Sequence, residues 1–223
     1  MAATHNSLAI ACAAAIGLAA AAPAGAATLS TRACVPSMAT TNSRTLPISG
    51  TGFEPGARVA VDYSTPVSPG RTFLTAVTAD ATGSFSTRAV PPLFHAFSTR
   101  EQVFDLTATT EEPPVEASTR YRQILFGYEM TPRASSSTRV VRHIVRGFPT
   151  GRSTFLHFRL AGRTEGTVRL GRTAGPCGIV SRRMRALPLK VKTGRWTVYA
   201  DQRRAFSPLT RPQAHLSFLV RGG

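Results

Sequence analysis

Four side chains in the second half of the chain have types that could react together: Cys177, His157, Glu165 and Asp201. A thiol acts as a nucleophile only with a base in hydrogen-bond reach, which Cys177 and His157 would provide. Two carboxylates converging across a cleft would suit hydrolysis. We expect neither arrangement. Cys177 lies in the turn Gly-Pro-Cys-Gly, where disulfide bonding is favoured. Glu165 lies in a solvated polar turn, and Asp201 precedes arginines with which it should pair.

Other catalytic and ligand-binding motifs are missing from the sequence. It has no G-x-S-x-G, no C-x-x-C, no histidines at ligand spacing and no acidic calcium loop. The glycines between Gly50 and Gly56 do not lead into a helical pattern, so they do not predict a phosphate-binding loop. The sequence therefore predicts no catalytic residue, no metal site and no cofactor, and the protein is expected not to be an enzyme.

Cys34 and Cys177 are the two cysteines that follow the leader described below. In an oxidising compartment, an isolated pair of this kind tends to form a disulfide. Two unpaired thiols, or bridges to another chain, remain alternatives, because sequence separation does not tell whether the Cα atoms approach within bonding range.

Charge divides the chain into unlike halves. Residues 28–133 contain 9 Arg and 9 Asp or Glu, whereas residues 134–223 contain 18 basic residues and only Glu165 and Asp201. The whole net charge of +16 therefore lies in the second half, which indicates an anionic partner. Arginine binds planar oxyanions through two parallel hydrogen bonds, so a polymer rich in phosphate or carboxylate groups fits. The expected contact residues are Arg159, Arg163, Arg169, Arg172, Arg182, Arg183, Arg185, Lys190, Lys192, Arg195, Arg203 and Arg204.

The first residues have the layout of a secretory signal peptide. An apolar run from Leu8 to Ala22 is followed by Pro23 and by small residues through Ala27. We expect cleavage after Ala26 or Ala27 and a secreted or envelope-associated protein with no membrane span in its mature chain. The leader itself has no Lys or Arg before its apolar run, which is atypical.

Strand signals dominate the remainder. Short runs rich in Val, Thr and Phe are broken by Gly or Pro every 8–12 residues or so, the pattern of a β-sandwich. We expect six strands in each half, and an all-β protein of two tandem immunoglobulin-like sandwiches. The polar segment Met130–Thr138 coincides with the charge break and predicts a linker. The predicted organisation is a signal peptide at 1–27, a neutral sandwich at 28–129, a linker at 130–138 and a basic sandwich at 139–223.

Two segments of the first half resemble a known family. GTGFEPGARVAV (Gly50–Val61) and LTAVTADATGSFSTRAVP (Leu74–Pro91) are similar to immunoglobulin-like modules of exported Gram-positive bacterial proteins, including the neocarzinostatin apoproteins. That resemblance implies the sandwich fold. The family pairs cysteines inside its sandwich and holds an enediyne chromophore. This sequence lacks such pairs, so chromophore binding is not implied. Residues 171–188 and 193–207 resemble uncharacterised exported domains. That resemblance implies export but does not indicate a particular activity.

A binding or structural role is therefore the expectation, with the basic half associating with an anionic polymer of the cell envelope. A secreted, non-specific nucleic-acid binder is the first alternative, and a hydrolase of unrecognised type is the second. Trp196 lies in a late strand, where an aromatic side chain fills the core more often than it forms a sugar-stacking platform.

Overall fold

The computed structural model describes residues 26–37, 45–94, 100–132 and 137–221. All regular secondary structure in these ranges is β-strand, so the all-β prediction is confirmed. No helix long and apolar enough to cross a membrane occurs in the described ranges. The predicted signal peptide lies outside the described residues, apart from its last two positions.

The first half forms two sheets. One has three strands in the order β1-β3-β6, and the other has five in the order β2-β8-β7-β4-β5. The strands are β1 (Thr28–Thr31), β2 (Cys34–Ser37), β3 (Leu46–Thr51), β4 (Arg58–Thr65), β5 (Ser68–Thr78), β6 (Phe85–Ala89), β7 (Glu101–Thr110) and β8 (Val115–Leu125). All pairings are antiparallel except that of β2 with β8, which is parallel.

The second half also forms two sheets, with three strands in the order β13-β10-β9 and four in the order β12-β11-β14-β15. The strands are β9 (Gly127–Thr131), β10 (Val140–Arg146), β11 (Ser153–Leu160), β12 (Arg163–Arg172), β13 (Val180–Arg185), β14 (Gly194–Asp201) and β15 (Ala214–Val220). Within this half every pairing is antiparallel.

Each pair of sheets encloses its own apolar core, which is what makes each half a sandwich. The first core centres on Val59, Leu106 and Tyr121, and the second on Leu156 and Trp196. Trp196 is fully buried and its indole Nε1–H donates to the Lys192 carbonyl at 2.9 Å. Its prediction as a core residue is confirmed.

The two sandwiches share one plan. A turn ending in Gly-Phe precedes β4 and β11. The backbone N–H of Phe53 donates to the Gly83 carbonyl at 3.1 Å, and that of Phe148 donates to the Gly178 carbonyl at 3.4 Å. Both glycines have positive φ, and a Cβ on either would collide with the carbonyl oxygen of its phenylalanine. Phe148 lies 95 positions after Phe53, and Gly178 lies 95 positions after Gly83. The two turns are therefore alike both in their own sequence and in the glycine that each phenylalanine contacts.

The junction between the sandwiches is tied covalently. The structure joins Cys34 of β2 to Cys177 of the β12–β13 turn, with their Cα atoms 5.2 Å apart. Phe126 stacks on Phe148 across the same junction, with ring centroids 4.9 Å apart. Cys177 therefore has no free thiol, and the considered Cys177–His157 nucleophile pair does not form.

The structure contains three strands in addition to the twelve that the sequence predicts. β1 and β2 precede the first predicted strand, and β9 occupies residues through Thr131, so Met130 and Thr131 of the predicted linker lie in a sheet. Residues 133–136 of that linker lie outside the described residues.

Candidate functional site

The outer face of the β13-β10-β9 sheet presents three arginines. Val141, His143 and Val145 of β10 point into the core, so the alternate positions of that strand face outward. Arg142 is directly opposite Arg183 of β13 in the antiparallel register. Cα atoms of such partners lie about 4.5–5.5 Å apart.

Arg185 completes this group, which we call the arginine face: Arg142, Arg183 and Arg185. Arg185 points to the same side as Arg183, two residues along β13, and its register partner is Val140, whose side chain is exposed. All three arginines are exposed. The sequence prediction included Arg183 and Arg185 but missed Arg142, which the charge count alone does not distinguish from its neighbours.

The arginine face is not neutralised by carboxylates. Among the described residues, none of its three side chains forms an ion pair with Asp or Glu. Glu129 of β9 is on the same face, opposite Ile144, but Arg100 and Arg146 hold its two oxygens. Like charges directly opposite on a sheet are destabilising, by roughly 0.2–1 kcal/mol. An anion seated between Arg142 and Arg183 would remove that cost.

A buried histidine anchors the strand that carries the face. His143 is fully buried; its Nε2–H donates to the Arg185 carbonyl at 3.1 Å, and the Tyr128 hydroxyl donates to its Nδ1 at 2.8 Å. Burial lowers the pKa of His143, only partly offset by the bond to Arg185. Burial also raises the pKa of Tyr128. Both groups are therefore uncharged at neutral pH, and the arginine face rests on a neutral, hydrogen-bonded layer.

The remaining predicted basic residues are spread over the second sandwich. Arg182 donates to the Arg169 carbonyl at 3.0 Å and links the edges of its two sheets. Arg159 is half-buried, with its guanidinium 4.2 Å from the Phe206 ring centroid. The others lie on β12, in the β13–β14 connection, on β14 and in the β14–β15 connection: Arg163, Arg172, Lys190, Lys192, Arg195, Arg203 and Arg204.

The two acids of the second half have partners other than those expected. Glu165, expected to be solvated, forms an ion pair with Lys192. Asp201, expected to pair with arginine side chains, instead contacts His157, with Oδ1 3.1 Å from Nε2. Asp201 also accepts the backbone N–H of Arg203 at 2.8 Å. Glu165 is an exposed residue, as expected. The expected pairing of Asp201 with an arginine side chain was wrong, because Asp201 is completely buried and its partners are His157 and the backbone of Arg203.

A metal site is not formed by the described residues, since no three His, Cys, Asp or Glu side chains in them converge. A cleft of about 300 Å³ lies where the two sandwiches meet, lined by Arg100, Glu129, Tyr128, Arg146 and His215 among others. Its two arginines are engaged by Glu129, so the cleft has less free charge than the arginine face.

Comparisons with known proteins find only distant similarity between this chain and a solved structure. No protein-family model matches the chain, and no curated protein matches it. One similar solved structure is described as the crystal structure of a tetra-tandem repeat in the extending region of a large adhesion protein. It is 15% identical, with a TM-score of 0.29, and the match covers 87% of this chain and 48% of that chain. The chain thus spans about half the length of that structure, and the likeness is too distant to indicate what the chain binds.

Proposed function

We propose that this protein is an exported binding protein whose second sandwich docks on an anionic polymer of the cell envelope through the arginine face. The observation that carries the proposal is the direct opposition of Arg142 and Arg183 with no carboxylate partner among the described residues. Two arginines at directly opposite positions of a sheet can present both guanidinium groups to one phosphate or carboxylate group, which several N–H donors would then bind.

Export is supported by two independent features. The leader sequence has an apolar run followed by small residues. The structure also joins Cys34 to Cys177, and disulfides of this kind persist in oxidising compartments outside the cytosol. In this proposal the neutral sandwich of β1 to β8 is the support, and the basic sandwich of β9 to β15 is the docking unit.

The test compares two triple variants of equal charge. Arg142→Gln/Arg183→Gln/Arg185→Gln removes the arginine face. A control changes Arg163, Arg195 and Arg203 to Gln, removing the same charge from exposed positions elsewhere. Retention on purified wall polymer and on duplex DNA is measured for the full chain across a salt series.

We expect the arginine-face variant to lose retention on wall polymer at physiological salt while the control retains most of it. Equal losses in both variants would show that only total charge matters and would overturn the assignment of the face. Stronger retention on DNA than on wall polymer, with a salt slope of about −0.9 per phosphate contacted, would instead favour the nucleic-acid alternative.

A further inference from the structure

A buried histidine–aspartate pair on the outer face of the β12-β11-β14-β15 sheet is in hydrogen-bond contact with the hydroxyl of an exposed threonine. His157 Nδ1 is 2.9 Å from Oγ1 of Thr167, and its Nε2 is 3.1 Å from Oδ1 of Asp201. His157 and Asp201 are fully buried, whereas Thr167 is exposed. A hydroxyl, an imidazole and a carboxylate are thus connected in series.

This burial is unusual for a sheet face turned away from the core. Leu156 and Phe158 point inward, so His157 must point outward, where the β14–β15 connection covers it. The Phe206 ring lies edge-on at 5.5 Å from the imidazole. Gln213 from the same connection donates to Asp201 Oδ2 at 3.3 Å. The connection therefore covers the imidazole, while Thr167 remains an exposed residue.

The hydrogen bonds determine which nitrogen carries the proton in the neutral imidazole. A carboxylate only accepts, so His157 Nε2 holds the hydrogen and donates it to Asp201. Nδ1 then has a free lone pair and accepts the hydroxyl hydrogen of Thr167. This is the order of roles in which a histidine oriented by a carboxylate activates a hydroxyl nucleophile.

We propose that Thr167 is an acyl-accepting nucleophile, a covalent modification site separate from the arginine face. Oγ1 of Thr167 attacks the carbonyl carbon of a carboxylic ester, while its proton passes to Nδ1 of His157. The ester C–O bond breaks, and the proton passes on to the departing alkoxide, which leaves as an alcohol. Thr167 then carries the acyl group as an ester. His157 is the base, and Asp201 is a positioning residue that fixes the imidazole.

Access and charge around Thr167 suit this reaction. β12 is the edge strand of its sheet in the part of the chain that the structure describes, and Thr167 on it is exposed. Arg169 lies two residues along on the same face and is exposed. Its positive charge favours the negative oxygen that develops when a carbonyl carbon is attacked.

The experiment treats the folded full chain with p-nitrophenyl acetate and follows release of p-nitrophenolate. Peptide mass mapping then locates the acetyl group. We expect one fast equivalent of release and an acetyl group on Thr167. Thr167→Val removes the nucleophile at an exposed position and should abolish the fast phase. Thr167→Ser should keep it. His157→Asn and Asp201→Asn should slow the phase about 100-fold or more.

Thr197 provides a matched control. It is on the outer face of the same sheet, and its hydroxyl is 2.9 Å from that of Ser217 with no histidine involved. Thr197→Val should leave the fast phase unchanged. Acetyl groups confined to amines, or equal acetylation of Thr167 and Thr197, would overturn the proposal. Near-ultraviolet circular dichroism shows whether the variants at the buried residues His157 and Asp201 fold. Because Thr167→Val changes only an exposed residue, its result tests the proposal even if those variants do not fold.

Discussion

Removal of the bond between Cys34 and Cys177 should cost this protein more stability than any single surface change. The two cysteines are 143 residues apart in sequence. In the chain-entropy treatment, closing a loop of that length removes about 17 cal/mol/K from the unfolded chain, or about 5 kcal/mol at 25 °C. With a guanidinium dependence of about 5 kcal/mol per molar, the unfolding midpoint of Cys34→Ala/Cys177→Ala should fall by about 1 M.

The assay is guanidinium unfolding followed by Trp196 fluorescence, which reports the second core, and by circular dichroism, which reports both sandwiches. Reduction of the unmodified protein should give the same direction of change without altering the cysteines. An unchanged midpoint in both the double variant and the reduced protein would refute the reasoning, because it would mean that the bond does not restrict the unfolded chain.

Three further changes test the packing of the second sandwich. Burial lowers the pKa of His143, so the unfolded chain binds more protons than the folded one just below pH 6.5, the ordinary histidine value. The contribution of His143 to stability should be full above that pH and be lost as the pH falls through it, and the slope of Tm against pH in this range should be smaller in His143→Gln. Gly178→Ala places a Cβ against the carbonyl oxygen of Phe148 at positive φ, so it should lower the free energy of unfolding by more than about 3 kcal/mol. Gly175 also has positive φ but has open space around it, so Gly175→Ala should lower it by only about 1 kcal/mol, from backbone strain. Equal losses of stability in thermal unfolding would contradict this. Leu156→Ala empties a fully buried position and should cost about 2–5 kcal/mol by guanidinium unfolding, and a loss under 1 kcal/mol would show that the core is not packed as described.

Alternating patterns made most of the sheets predictable. Val59 and Val61 alternate with polar or small residues in β4, and the structure buries both completely. β1 and β2 escaped prediction because each has only four residues, too few to show alternation, and Pro36 within β2 argues against a strand. Pairing of β1 with β3, and of β2 with the distant β8, stabilises these two strands.

The arginine face was only partly predictable. Charge counts identify the basic half of the chain, but they do not tell which arginines share a face. That depends on the register of β10 against β13, which places Arg142 opposite Arg183. The contact of His157 with Asp201 likewise joins residues 44 positions apart through the pairing of β11 with β14. No local pattern in the sequence encodes either juxtaposition.

The bond between the sandwiches has a mechanical consequence. If the chain is pulled from its two ends, tension entering at Cys34 crosses directly to Cys177 and bypasses the intervening sequence. The bypassed segment holds β3 through β12, with nearly all of the first core and half of the second. At about 3.5 Å per extended residue, roughly 500 Å of contour length is withheld from stretching. Under load, extension would therefore be confined to the segments outside the bond, the longer of which carries β13, β14 and β15, until the disulfide is reduced.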